Sequence, residues 1–291
     1  GAPSAGKSSF LGILAHAACR ADDTAWLEFP DRTSHQILKG LLKNICENGG
    51  TDATPAANPV EVRFRLCSHG LTCLIETSDI AGVLATIEKK DEAVEAKQAA
   101  FERWLAASDA ILVLVDAAAP CLRHVDSLEM FRSALQRLQV PRRLIPPVGL
   151  VFSKADTFFQ QCGPGSVLKE IERIIRETAA GQAVIAAVGR FPEYAVFAVS
   201  AYGGQLGEGP VPEENLQPYN VLDPLMWAAD RAIGRFEANL NRELEAMESS
   251  VSLAMSASSS GKHLRLRNAA RKSLRLFDQQ FPVSDQRYSD E

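Results

Sequence analysis

Val60, Val62, Phe64 and Leu66 alternate with Glu61, Arg63 and Arg65. A period of two marks a strand with one face buried and the other in water, the asymmetry that antiparallel sheets tolerate. A second strand, Leu71 to Ile75, follows across Ser68-His69-Gly70, so the pair predicts a hairpin. Elsewhere the apolar runs are short and unbroken: Ile111–Val115, Val148–Phe152 and Tyr194–Val199. Such runs suit strands covered on both faces, as in a parallel sheet. Helical spacing occupies the stretches between them: Phe10 to Ala18, residues 34–47, Asp79 to about Ala107, residues 125–139 and residues 166–190.

Strand and helix in alternation predict an α/β fold with one open sheet, mostly parallel and with one antiparallel edge strand. A last helix is expected over residues 224–249, with Asp223 as its N-cap and Pro224 at its first position. Met226, Ala229, Ile233, Phe236, Leu240, Leu244 and Met247 form one stripe along it, which predicts that it closes the fold against the sheet. Residues 249–260 are rich in Ser and read as a linker. The expected organisation is a domain over residues 1–222, the closing helix over 223–249, and a linker with a basic tail over 250–291.

Composition narrows the classes of function. The 291 residues are 46% hydrophobic and 23% charged, as in an ordinary globular protein. The apolar runs are strand-sized, so no transmembrane segment is expected. A net charge of -5 argues against nucleic acid as a partner, because neutralising phosphates needs a basic surface. The six cysteines form no C-x-x-C pair and the five histidines show no ligand spacing. Reduced thiols and a cytoplasmic location are the expectation. Between Lys262 and Phe277 lie six Lys/Arg and no acid, with Leu266, Ala270, Leu274 and Phe277 on one helical face. The favoured use of this tail is to lie on the acidic body; peripheral contact with an anionic membrane is the alternative.

The strongest chemical signal is Gly1-Ala2-Pro3-Ser4-Ala5-Gly6-Lys7-Ser8, which satisfies G-x-x-x-x-G-K-[ST] and opens directly into an apolar helix at Ser9 and Phe10. The glycines let the backbone wrap a phosphate with successive N–H groups pointing inward at a helix start. Lys7 supplies a point charge at the β- and γ-phosphates, and the Ser8 hydroxyl ligates Mg²⁺. The strand that should lead into this loop is expected upstream of Gly1.

Three further segments follow in order, each at the end of an expected strand. Thr77-Ser78-Asp79-Ile80-Ala81-Gly82 contains D-x-x-G, an aspartate for the Mg²⁺ shell and a glycine N–H for a γ-phosphate. Ser153-Lys154-Ala155-Asp156 places a carboxylate that can accept from N1 and N2 of guanine, with the Lys154 stem over the ring. Val199-Ser200-Ala201 ends the last strand, where a backbone N–H can meet guanine O6. Together these converge on the crevice where α/β sheets bind ligands.

The set resembles the TRAFAC class of P-loop GTPases over residues 1 to about 202, and within it the double-GTPase families of bacterial ternary conflict systems. The resemblance implies a Ras-like three-layer sandwich, GTP and GDP as ligands, Mg²⁺ as cofactor, and a protein partner or activator. It also implies a switch threonine before the hairpin, which Thr54 fits better than Thr51; Thr54 would join Ser8 and Asp79 around the metal. Two positions depart from the pattern. Ser153 stands where relatives carry Asn or Thr to tie the base loop to the phosphate loop. Val83 stands where many carry the glutamine that orients water, so slow or partner-dependent hydrolysis is expected. Arg32 is a candidate cis arginine, though a surface charge is the plainer reading.

Two alternatives stay open. One is a nucleotide-binding interaction module with little hydrolysis. The other is an ATPase in which Asp116, at the end of Ile111–Val115, holds Mg²⁺.

Overall fold

The computed structural model describes residues 6–20, 25–49, 60–68, 71–79, 107–117, 122–203 and 210–256, together with Glu102 and Leu105. Its elements are α1 (Lys7–Arg20), β1 (Ala25–Glu28), α2 (Arg32–Asn48), β2 (Val60–Ser68), β3 (Leu71–Asp79), β4 (Ile111–Asp116), α3 (Leu122–Arg137), β5 (Val148–Ser153), α4 (Val167–Glu177), α5 (Ala179–Val188), β6 (Tyr194–Ala198) and α6 (Asp223–Ser256). The chain divides into Gly1–Ala232 and Ile233–Glu291, and the first unit holds all of these strands.

This is an α/β protein with two three-stranded sheets, one antiparallel in the order β1-β2-β3 and one parallel in the order β4-β5-β6. The hairpin is in register from Val60 opposite Asp79 to Ser68 opposite Leu71. Its alternation is as the sequence predicts: Val62, Phe64 and Leu66 are buried, while Glu61, Arg63 and Arg65 face water. In the parallel sheet β5 is central and buried along its whole length. Asp116 lies opposite Ser153 and Phe152 opposite Ala198, so the C-terminal ends of all three strands finish level.

The division into two sheets departs from the single sheet expected. The antiparallel part has three strands rather than one edge strand, because Ala25–Glu28 also pairs, from Ala25 opposite Ser68 to Glu28 opposite Arg65. Four residues are too few to display a period of two. The helical stretch 166–190 is two helices, broken at Thr178, which ends α4 in an extended conformation and caps α5 by accepting from Gly181 N. Helix α6 runs through Ser256 into the stretch read as a linker. Residues 249–256 contain Ser but neither Gly nor Pro, and serine alone does not stop a helix. Of the helix expected from Asp79 to Ala107, residues 80–101 lie outside the described residues; Glu102, Leu105 and Ala107 are helical. The basic tail also lies outside them. Among the described residues no helix is long and apolar enough to cross a membrane.

Helices cover both faces of the parallel sheet. On one face Leu114 and Val151 join a core with Phe10, Leu11, Ile13 and Leu14 of α1, Leu38, Leu42 and Ile45 of α2, and Val62, Phe64 and Leu66 of β2. On the other, Val113, Val115, Leu150 and Phe152 pack with Leu128 and Leu135 of α3, Ile171 and Ile175 of α4, and Val184 and Val188 of α5. Each large apolar side chain so buried contributes about 1.5–3 kcal/mol.

Helix α2 has a defined start and stop. Asp31 caps it by accepting from Ser34 N at 2.7 Å and Ser34 Oγ at 2.9 Å. Those bonds hold the Asp31 carboxyl below the usual range. Gly49 ends the helix in the left-handed region, its N–H bonded to Ile45 O. Helices α1 and α2 touch at Gly12, where an added methyl would lie 2.9 Å from Leu41 Cβ and 3.0 Å from the Leu41 backbone. Gly12→Val therefore overpacks this joint and is expected to cost about 2 kcal/mol, read as a lowered urea midpoint.

Candidate functional site

Gly6 leads into α1 with φ +73° and accepts from Phe10 N at 2.8 Å. Lys7, Ser8 and Ser9 form the first turn of that helix, which carries no acidic residue. The positive end of the helix dipole is thus not offset by a carboxylate within the first turn itself. Ser8 is buried.

The end of β5 lies against this start. A methyl added to Gly6 would sit 3.8 Å from Ser153 Oγ. Ser153 is buried, donates from Oγ to Val115 O at 3.1 Å, and accepts from Ala117 N at 3.0 Å. Lys154 follows with φ +58°, an uncommon conformation for a residue with a side chain and one that clusters at functional sites. Its Nζ donates to Asp116 Oδ2 at 2.5 Å. The chain then makes a 3₁₀ turn over Ala155–Phe158, anchored by Ala155 N on Val199 O at 3.0 Å. Asp156 in this turn is 2% exposed, and its buried Oδ2 has no hydrogen-bond partner. Leaving an oxygen of a buried acid unpaired, as it is among the described residues, is costly.

The third segment is the turn after β6. Strand β6 ends at Ala198, one residue earlier than expected, and Ser200 is fully buried. Ser200 exchanges backbone hydrogen bonds with Tyr219 at 3.0 and 2.9 Å. Its N–H is therefore engaged within the protein, so it is not offered to a ligand as the sequence led us to expect. Ser200 Oγ accepts from Tyr202 N at 3.2 Å and Gly203 N at 2.9 Å, closing the turn. Gly203 sits at φ +68°, and a Cβ there would fall 1.6 Å from Gln217 O. Only glycine fits.

Tyr202 ties the turn after β6 to the first turn of α1 and to the end of α2, and no sequence motif singled it out. Its hydroxyl donates to Gly49 O, at the end of α2, at 3.0 Å. The Ser9 side chain hydrogen-bonds the same group. Burial, then the nearby Asp156 carboxylate, push the Tyr202 phenol up, and the Ser9 bond opposes them. The only hint in the sequence was its place directly after Ser200-Ala201.

The structure thus brings Gly6, Ser9, Ser153, Asp156 and Tyr202 into one neighbourhood. Ala201 is half-buried against the core that contains α1. Asp79 ends β3, and Arg32 opens α2 as an exposed residue. Gly1, Ser4, Ala5, Thr51, Thr54, Gly82 and Val83 lie outside the described residues. Among those described, no group of three or more His, Cys, Asp or Glu could hold a metal. Ser8, whose hydroxyl is the one expected at Mg²⁺, stands in the first turn of α1 directly after Lys7.

No protein-family model, curated protein or solved structure matches this chain.

Replacing Ser200 by Ala removes the acceptor for two backbone N–H groups. Ser200→Ala is expected to destabilise the first unit by about 1–3 kcal/mol, measured as a lowered denaturation midpoint.

Proposed function

We propose that the chain is a P-loop GTPase of Ras-like, TRAFAC type that binds GTP and GDP with Mg²⁺ and hydrolyses GTP slowly or with a protein partner. The observation that carries this reading is Asp156: a buried carboxylate with an unpartnered oxygen, near the start of the helix that opens with Gly6-Lys7-Ser8. Guanine presents two adjacent donors, N1–H and the N2 amino group, to such a carboxylate. Adenine presents an unprotonated ring nitrogen in place of the first.

In this reading Lys7 reaches the β- and γ-phosphates, the helix start receives their charge, and Ala201 N–H meets guanine O6. Ser8 would hold Mg²⁺ with Thr54 and Asp79, and the ion would neutralise charge that builds on the β- and γ-oxygens. Thr54 and the Gly82 N–H are assigned to the γ-phosphate, which makes them the parts that answer its loss. Lys154 keeps its stem for the base while its ammonium pairs with Asp116. That ion pair also weighs against the ATPase reading, in which Asp116 would have to face the metal. Val83 in place of a water-orienting glutamine supports slow turnover, and with Ser153 it is the feature that favours a binding module with little hydrolysis.

Competition titration of GTP, GDP and ATP with Mg²⁺ tests the reading. The guanine nucleotides are expected to displace a fluorescent GTP analogue well ahead of ATP, and Lys7→Ala to abolish triphosphate binding. Asp156→Asn should weaken GTP roughly 100-fold, through loss of two charge-assisted hydrogen bonds, and favour xanthosine triphosphate instead. Preference for ATP in the unaltered chain would overturn the guanine assignment.

A further inference from the structure

We infer that Tyr202 is a positioning residue that sets the spacing between the base-recognising turn and the phosphate-binding helix start. The inference rests on the guanine-nucleotide reading above. A phenol hydroxyl has one proton to give and two lone pairs to accept with. Here the proton goes to Gly49 O, and the Ser9 side chain supplies a further hydrogen bond. The Tyr202 backbone N–H is held separately by Ser200 Oγ. One residue is therefore bonded to the turn after β6, to the first turn of α1 and to the end of α2.

A nucleotide spans those places. Its base belongs to Asp156 and Ala201, and its phosphates to Gly6, Lys7 and Ser8. Each half binds weakly alone, and the second contact becomes intramolecular once the first has formed. That gain depends on the two half-sites standing at the distance the ribose allows, and a misplacement of 1 Å or less diminishes it. The tie from Tyr202 to Ser9 completes a covalent and hydrogen-bonded route from the turn after β6 to the phosphate helix: Ser200, Tyr202, Ser9, Ser8. A tyrosine there acts on the whole ligand and on neither half alone.

Tyr202→Phe keeps the ring and removes only the hydroxyl. The test is competitive displacement of a fluorescent GTP analogue from the full chain by GTP–Mg²⁺ and by tripolyphosphate–Mg²⁺, with the unaltered chain, Tyr202→Phe, and the Ser9→Ala/Tyr202→Phe double variant. GTP affinity is expected to fall about 5- to 10-fold in Tyr202→Phe, the scale of a lost neutral hydrogen bond, while that of tripolyphosphate stays within about twofold. The double variant should bind GTP no more weakly than Tyr202→Phe alone, since both changes break one tie. Undiminished GTP affinity overturns the inference. So does an equal loss for both ligands, which is the signature of a merely structural tyrosine. An unaltered chain that holds GTP no better than tripolyphosphate, or prefers ATP, overturns the guanine reading itself and is told apart from both.

Discussion

Helix α1 packs its apolar side chains into a core that draws on both sheets, and the first unit depends on that burial. Val62, Phe64 and Leu66 come to it from the antiparallel hairpin, and Leu114 and Val151 from the parallel sheet. The helix cannot shift without opening one contact or the other, because interiors of this density have no room to slide. Its start is thereby fixed against the end of β5, where Gly6 lies beside Ser153. The chemistry-bearing residues Lys7 and Ser8 inherit their position from Ile13 and Leu14 one turn and more further on, which are fully buried. Site geometry here is a consequence of core packing.

The level C-terminal ends of β4, β5 and β6 do the same for the other half of the neighbourhood. Parallel strands in register release their chains on one side of the sheet, and the loops that follow must share the space there. Lys154 meets Asp116 because their strands end opposite each other. The turn at Asp156 leans on Val199 for the same reason.

Much of this was legible in the sequence, in proportion to how local the signal was. The alternation at Val60–Leu66 and the unbroken runs at Ile111–Val115 and Val148–Phe152 report burial on one face or two, and the structure follows them closely. Ala25–Glu28 was illegible because its strand character comes from its partner, β2, and four residues hold no period of their own. The break at Thr178 was masked by apolar spacing on both sides of it. At the site, Gly6-Lys7-Ser8, Asp156 and Ser200 could be picked out from spacing. Tyr202 could not, since its value lies in contacts with residues 49 and 9, far from it in the chain. Nor could the engaged N–H of Ser200, which depends on Tyr219.

The turn at Ser200–Gly203 also bears on how such a chain can diverge. Gly203 admits no side chain beside Gln217 O, and the Ser200 hydroxyl serves two N–H groups at once. A side chain at position 203 collides with the backbone, and loss of the Ser200 hydroxyl strips two N–H groups of their acceptor, so exchanges at both positions are costly. Change in descendants of this sequence is thereby directed to the side chains that the turn presents and opposes, with its backbone carried forward as an inherited fixture.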